Sequence, residues 1–425
     1  MNITMNFGAG GLPLSLPDSW NTTVVAKKAM PVLPDPHSAM AAAFVSPVNA
    51  APLSELARGK KSVCVLICDV TRPVPNNIIL EPLLQTLLDA GVPREAVTIL
   101  VATGLHRPNE GEELVRVVGS REITATWRVE NHFASRDEDH LFLGDTPGGV
   151  PVGIDKRFAD AELKIACGLV EPHFMAGFSG GRKVVAPGVC HESTIRSFHN
   201  ARIMGDKSAA NLTLDGNPLH AEQLHIIRRL SPVYGVNTVI DEERRPSFVN
   251  FGEIIASHQK AVDFALPFFR VELPRRFSTI LTSSAGSPLD LNFYQTVKGL
   301  VGAKDVLVPK GRIFIVSECR EGLGSEEFRH HQRFLVENGW RAFLAAIRTR
   351  DKAGIDEWET QKLTEILELG HATLYSPLLP PEDRALTGID HTDDVVASMN
   401  EWIRSCGDTA VLVIPEGPYV IPQVR

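Results

Sequence analysis

No run of about 18 apolar residues occurs anywhere in the 425-residue sequence, so it offers no stretch long enough to cross a bilayer. The opening MNITMNFGAGGLPLSLP lacks a basic stretch followed by an apolar one, and no secretory signal is read there. None of the six cysteines, at 64, 68, 167, 190, 319 and 406, forms a CxxC pair, which excludes zinc-ribbon and thioredoxin-like motifs. Cys64 and Cys68 lie within the apolar run VCVLIC and read as small buried thiols. Reduced cytoplasm is the expected compartment. There is no long basic run, and the net charge of -8 argues against nucleic acid as the main partner. A local Arg/Lys pocket can still hold an anionic small molecule. The P-loop spacing G-x-x-x-x-G-K-[ST] is absent, Val184 standing where its hydroxyl would be, and no G-x-G-x-x-G follows a strand. Internal repeats and low-complexity tracts are also missing.

What is present is an ordinary globular composition, 44% hydrophobic and 22% charged, at a length that suggests two domains. The runs SVCVLICDV (62–70) and AVTILVATG (96–104) are continuous apolar segments, as expected of parallel strands buried on both faces. The helical pattern IILEPLLQTLLDAG lies between them and ends at Gly91. LKIACGLV is a third such strand and runs into a Gly-rich turn, with a short helix expected near Gly180. Strand-loop-helix alternation predicts α/β folding with open, mostly parallel sheets, in which ligands bind at the carboxyl ends of strands. DVTRP, TGLHRP and EPHF all fall at such ends. The aperiodic stretch from about 267 to 277 reads as a boundary, beyond which TILTSSA, LNFYQTVKGLVGA and GRIFIVSE form a second α/β unit. The expected domains are 1–268, completed by about 408–425 returning to its sheet, and 269–407, with an active-site cleft between them.

Several residues in these loops carry chemistry. His106, His173 and His199 sit outside element interiors. One loop histidine is ordinarily only solvated or hydrogen-bonded, but three near strand ends point to proton transfer or ligation. Lys183 follows a Gly-Gly pair in FSGGRKVVAPG; such a turn suits an anion, and a desolvated lysine there can act as a nucleophile. The plain alternative is a surface lysine in a turn. Asp69 and Arg72 close the first strand end, where Arg offers a planar fork for carboxylate or phosphate and Asp can orient it or a histidine. Gln295 and Lys298 share one helix face by their i, i+3 spacing, which a merely solvated face would also give. His330 and His331, in a charged helical stretch, read as exposed surface. Such a set suits proton transfer on an anionic substrate.

DVTRPVP, TGLHRP, EPHFMAGFSGGRKVVAPG and SFHN, in this order and with NFYQTVKG beyond them, resemble the nickel-dependent lactate racemase family, which includes other 2-hydroxyacid racemases and epimerases. The resemblance implies a nickel-pincer nucleotide (pyridinium-3-thioamide-5-thiocarboxylic acid mononucleotide carrying Ni) attached covalently at Lys183, with His199 as the protein ligand to the metal. Imidazole suits Ni(II). It further implies His106 and His173 as the two acid/base groups and Arg72, Tyr294, Gln295 and Lys298 around the substrate. Asp69, Thr71, Arg72, Gly180, Gly181 and Arg182 would hold the cofactor. The implied reaction inverts C2 of a short 2-hydroxy acid such as lactate or malate, by proton-coupled hydride transfer. Cofactor-synthesis proteins are the implied partners. Two other readings stay open on the residues alone. One is a metal-dependent hydrolase with His106, His173 and His199 on zinc, although the usual close ligand spacing is missing. The other is a non-enzymatic protein that binds an anionic metabolite.

Overall fold

The computed structural model describes residues 1–425 and divides into two compact units. Residues 29–198 and 213–266 form what we call the amino-terminal unit; residues 1–28, 199–212 and 267–425 form the carboxy-terminal unit.

The amino-terminal unit is built on a six-stranded sheet in the order Pro246–Glu253, Tyr234–Ile240, Leu163–Leu169, Val63–Cys68, Val97–Ala102, Arg128–Asn131. All neighbours are parallel except the antiparallel pair at the Pro246–Glu253 edge. Val63–Cys68 is central, with Leu66 opposite Leu100 on one side and Ala166 on the other. Its residues 63–67 are buried, which is why the strand reads as an unbroken apolar run rather than an alternating one. Helix Asn76–Asp89 places Ile79, Leu80, Leu83 and Leu87 in the same core as Val65, Ile67, Ile99 and Val101. Three adjacent parallel strands therefore deliver the loops after residues 68, 102 and 169 to one edge of the sheet.

The carboxy-terminal unit holds a second six-stranded sheet, in the order Asp390–His391, His371–Tyr375, Leu307–Val316, Phe277–Ser283, Ala410–Ile414, Asn21–Val24, with every neighbouring pair parallel. Three features differ from the sequence expectation. The tail does not complete the first sheet: Ala410–Ile414 is a buried strand between Phe277–Ser283 and Asn21–Val24, and Ile421–Val424 pairs with Arg270–Leu273. Residues 1–28 likewise belong to this unit, not to the first. A short apolar run reveals that it is a buried strand but not which strand it joins. Helix Ile254–Phe269 also runs through the start of the stretch read as aperiodic, Pro267 included. Helix Phe293–Ala303 packs against helix Glu357–Leu369, and this pair carries the polar residues considered below. No helix of the protein is long and apolar enough to cross a membrane.

Candidate active site

Asp69 stands directly after the central strand and is 5% exposed. Both of its oxygens are engaged in the loop. Oδ1 accepts from the Thr71 hydroxyl at 2.6 Å and the Thr71 amide at 3.2 Å, and Oδ2 lies 2.6 Å from His106 Nδ1. Burial pushes this carboxyl up, but His106, Thr71 and Arg72 outweigh burial and hold it below the ordinary aspartate value. An ionised carboxylate only accepts, so His106 Nδ1 donates and the neutral ring keeps its lone pair on Nε2. His106 is thus set as a base, on a side chain 58% exposed. Asp69 orients the histidine rather than the arginine. Arg72 instead faces Glu171, Nε to Oε1 at 3.6 Å, a partner that the sequence reading did not single out.

His173 is held differently. Pro172–His173 and Gly177–Phe178 form a two-residue antiparallel ladder after the third strand, closed by Ser179, whose hydroxyl donates to Leu169 O at 2.6 Å. The turn directs the amides of Met175 and Ala176 at His173 Nδ1, 3.3 and 3.2 Å away. Nδ1 is therefore the acceptor, and the neutral ring carries its proton on Nε2. The ring is 8% exposed and stacks on Phe174 at 5.3 Å.

The Gly-rich turn is built around a buried arginine. Arg182 is 1% exposed, and its fork is spent inside the protein: on Phe178 O at 2.9 Å, Ala176 O at 2.6 Å and His220 Nδ1 at 2.9 Å. It also lies 3.1 Å from His258 Nε2, which donates to Ser179 O at 2.8 Å. Burial lowers the guanidinium to about 9 and, with Arg182 beside it, lowers His220 to about 3. The Arg182 side chain is a strut of the His173 turn. The apolar residues on both sides of it, FMAGF and VVAP, are the sequence signal for that burial. Gly180 and Gly181 have φ of +73° and +49°, and a Cβ on Gly181 would come within 2.6 Å of the His258 ring. The glycines are needed to pass between strand and helix.

Lys183 is the second residue of the four-residue helix Arg182–Val185 and is half-buried. Its ammonium, with Arg72 and Asp69, acts electrostatically on Cys68, whose thiol burial drives up to about 12. The lysine is therefore close to the end of the central strand. No disulfide links the cysteines; Cys64, Cys167, Cys190 and Cys319 are buried.

In the carboxy-terminal unit, His199 is 5% exposed, with its ring 4.6 Å from Trp358. The next residue, Asn200, caps helix Ala201–Met204 through Ile203 N at 3.0 Å. Tyr294, Gln295 and Lys298 do share one face of helix Phe293–Ala303: Lys298 Nζ donates to Gln295 Oε1 at 2.5 Å and lies 5.8 Å from the Tyr294 ring centre. Trp358 Nε1 donates to the Tyr294 hydroxyl at 3.2 Å, so Trp358 links the two groups and was missed by sequence reasoning. Of the two histidines read as surface, His330 is exposed, whereas His331 is half-buried near Ile355 O at 3.1 Å and burial lowers it to about 4.

Known proteins match both units. The family model for the lactate racemase N-terminal domain matches residues 7–211, and that for the lactate racemase C-terminal domain matches residues 275–421. The chain is an isomerase of the racemase type. The lactate racemase of Lactiplantibacillus plantarum is 33% identical over 379 residues, 88% of each chain, and that of Thermoanaerobacterium thermosaccharolyticum is 30% identical over 370 residues, 86% of each. The chain belongs to the lactate racemase family. The structure of the T. thermosaccharolyticum lactate racemase apoprotein superposes with a TM-score of 0.92 at 28% identity, covering 100% of both chains. A Thermotoga maritima protein of known structure shares the fold, with a TM-score of 0.63 at 17% identity over 88% of this chain and 96% of its own.

Proposed function

We propose that this chain interconverts the enantiomers of a short 2-hydroxy acid, lactate first among them, with a nickel-pincer nucleotide tethered at Lys183. The carrying observation is the pair of histidines after the two strands that flank the central one, held in opposite proton arrangements by Asp69 on one side and two backbone amides on the other. Racemisation needs one group to take the hydroxyl proton and another to stand at the carbonyl oxygen. His106 Nε2 accepts that proton, and Asp69 steadies the imidazolium that results. His173 Nε2 donates a hydrogen bond to the oxygen and serves the opposite enantiomer as base in its other tautomer, with the Nε2 proton given up to solvent and one taken up at Nδ1 once the Met175 and Ala176 amides release it.

The side chains fit the implied cofactor. No cluster of three or more His, Cys, Asp or Glu is arranged to hold a metal by itself, so a three-ligand zinc site for hydrolysis has no basis in them. A metal that brings most of its own donors needs only an anchor and one imidazole, the roles we assign to Lys183 and His199. Gly180 and Gly181 would border the nucleotide phosphate, together with Thr71. When bound, the nucleotide supplies a reversible hydride acceptor that lets C2 pass through a planar 2-keto acid. To the substrate carboxylate and hydroxyl we assign Lys298, Gln295 and Tyr294, and also Arg72, which would exchange Glu171 for the carboxylate.

Intact-mass and metal analysis of protein made together with cofactor-synthesis proteins tests the reading. Nickel and a covalent adduct that Lys183→Ala abolishes are expected. Zinc without an adduct, or an adduct that survives the substitution, would overturn it.

A further inference from the structure

Glu359, in helix Glu357–Leu369, is 0% exposed, and neither carboxyl oxygen has a hydrogen-bond partner in the protein. A buried carboxylate with no donor is strongly disfavoured, and such a group keeps its proton instead. The surroundings are a mixture of charges. Helix Phe293–Ala303, packed against it, brings Lys298 and Tyr294. The turn ahead of its own helix brings Asp356, which is hydrogen-bonded to Tyr294, and the helix itself brings Lys362. Lys362 is already engaged, donating to Ala209 O at 2.9 Å and Glu365 Oε1 at 2.7 Å. Of the other packed helices, Glu326–Asn338 carries His331, held at Ile355 O, and Trp340–Ile347 buries only Phe343, Leu344 and Ile347. Ala201–Met204 offers the Ala201 carbonyl to Gln361 at 2.9 Å. Lys298 is thus the cation on the facing helix toward which an ionised Glu359 would turn.

We propose that Glu359 is a positioning residue for Lys298: as the neutral acid it leaves the ammonium to the substrate carboxylate, and as the carboxylate it draws the ammonium away. This rests on the assignment of Lys298 to the substrate made above. Burial, with Asp356 adding to it and Lys298 and Lys362 opposing it, raises Glu359 to about 8. The switch therefore lies just above neutrality. Substrate affinity would be full while Glu359 is protonated and would fall as pH rises beyond that point. The turnover step, which uses other groups, would be unaffected.

The first test measures steady-state lactate racemisation by the holoenzyme between pH 6 and pH 10, with KM and kcat separated. Wild-type KM is expected to climb above about pH 8, by up to about tenfold per pH unit as the competent fraction falls. Glu359→Gln, shaped like the neutral acid, should keep the neutral KM and lose this alkaline climb, and Glu359→Asp should retain a climb. A Gln variant whose KM rises as the wild type's does would overturn the proposal. The second test needs neither nickel nor substrate: thermal melts of cofactor-free protein across the same pH range. Because the folded carboxyl titrates at about 8 and an ordinary one at 4.5, the stability it contributes is complete below 4.5 and is lost as pH rises through about 8. Glu359→Gln should flatten that loss, and Lys298→Met should move it to higher pH. A loss unchanged by Lys298→Met would sink the coupling between the two. If wild-type holoenzyme racemises nothing at any pH while the melts behave as expected, the substrate reading fails and the Glu359–Lys298 coupling stands.

Discussion

Asp69 and Glu359 are both buried carboxyl groups, one in each unit, and their proton affinities are displaced in opposite directions. Burial works on both in the same sense, toward the neutral acid. What separates them is the supply of donors. Asp69 has the Thr71 hydroxyl, the Thr71 amide and His106, and stays ionised; Glu359 has no hydrogen-bond donor, and the charges of Lys298 and Lys362 do not offset its burial. The difference shows that at these sites the hydrogen bonds decide the charge state more than depth does. It also assigns the two groups different work. An ionised carboxylate can fix a tautomer, whereas a neutral one can only withhold itself from a neighbouring cation.

The comparison breaks most severely at the Asp69 end. Asp69→Asn removes the charge that holds His106 Nδ1–H in place, and the Asn amide can donate to Nδ1 and turn the lone pair away from Nε2. Racemisation of either enantiomer is expected to fall by about 100- to 10,000-fold, as far as in His106→Ala, because both remove the same positioned base. Measured rates for the two single variants and the double variant check this. A double variant far slower than either single one would mean that Asp69 and His106 act separately. His173→Ala should cost a similar factor. The two histidines separate in a single turnover, where trapped keto acid should still form from the enantiomer whose proton His106 takes. Near wild-type racemisation of both enantiomers by either histidine variant would end the two-histidine assignment. At the Glu359 end the effect is smaller. Lys298→Met removes a charge-assisted hydrogen bond to the substrate worth about 1.5–3 kcal/mol, roughly a 10- to 150-fold rise in lactate KM. An unchanged KM would take Lys298 out of the substrate site.

The sheet strands were legible because parallel strands buried on both faces leave continuous apolar runs, as VCVLIC and VTILVA do. The loops at their ends were legible by position, which brought His106, Asp69 and His173 into view. Pairing partners were not legible, so the tail strand Ala410–Ile414 was assigned to the wrong sheet. Nor was the burial of polar residues. Arg182 beside two glycines looks like an exposed anion fork and is among the most buried side chains. In helix Glu357–Leu369 every residue from 357 to 364 is buried, so polar and apolar positions share the interior and no periodicity marks Glu359 or Trp358. Glu171 and Trp358 became visible only through the partners they meet, Arg72 and Tyr294.

The smallest expected effect concerns stability in acid, and it sharpens the comparison from the opposite side. The Asp69 carboxyl is held below 3.8 in the folded protein, whereas in the unfolded chain it titrates near the ordinary value. As pH falls, the unfolded chain takes up this proton first. The stability that Asp69 contributes is therefore complete above 3.8 and drains away as pH drops through the lower folded value. In cofactor-free protein, Asp69→Asn should cost on the order of 1–3 kcal/mol at pH 7, the usual range for a hydrogen-bonded charged group. That deficit should shrink as the pH is lowered below 3.8, because the wild type loses there what the variant already lacks. Glu359→Gln should differ with the opposite sign: it should match wild type below 4.5 and gain on it as pH rises from 4.5 toward about 8. Urea melts of both variants and the wild type at pH 3, 5 and 7 measure it. A constant Asp69→Asn deficit across that range would mean that Asp69 is not held ionised by its partners, and the contrast with Glu359 would lose its physical basis.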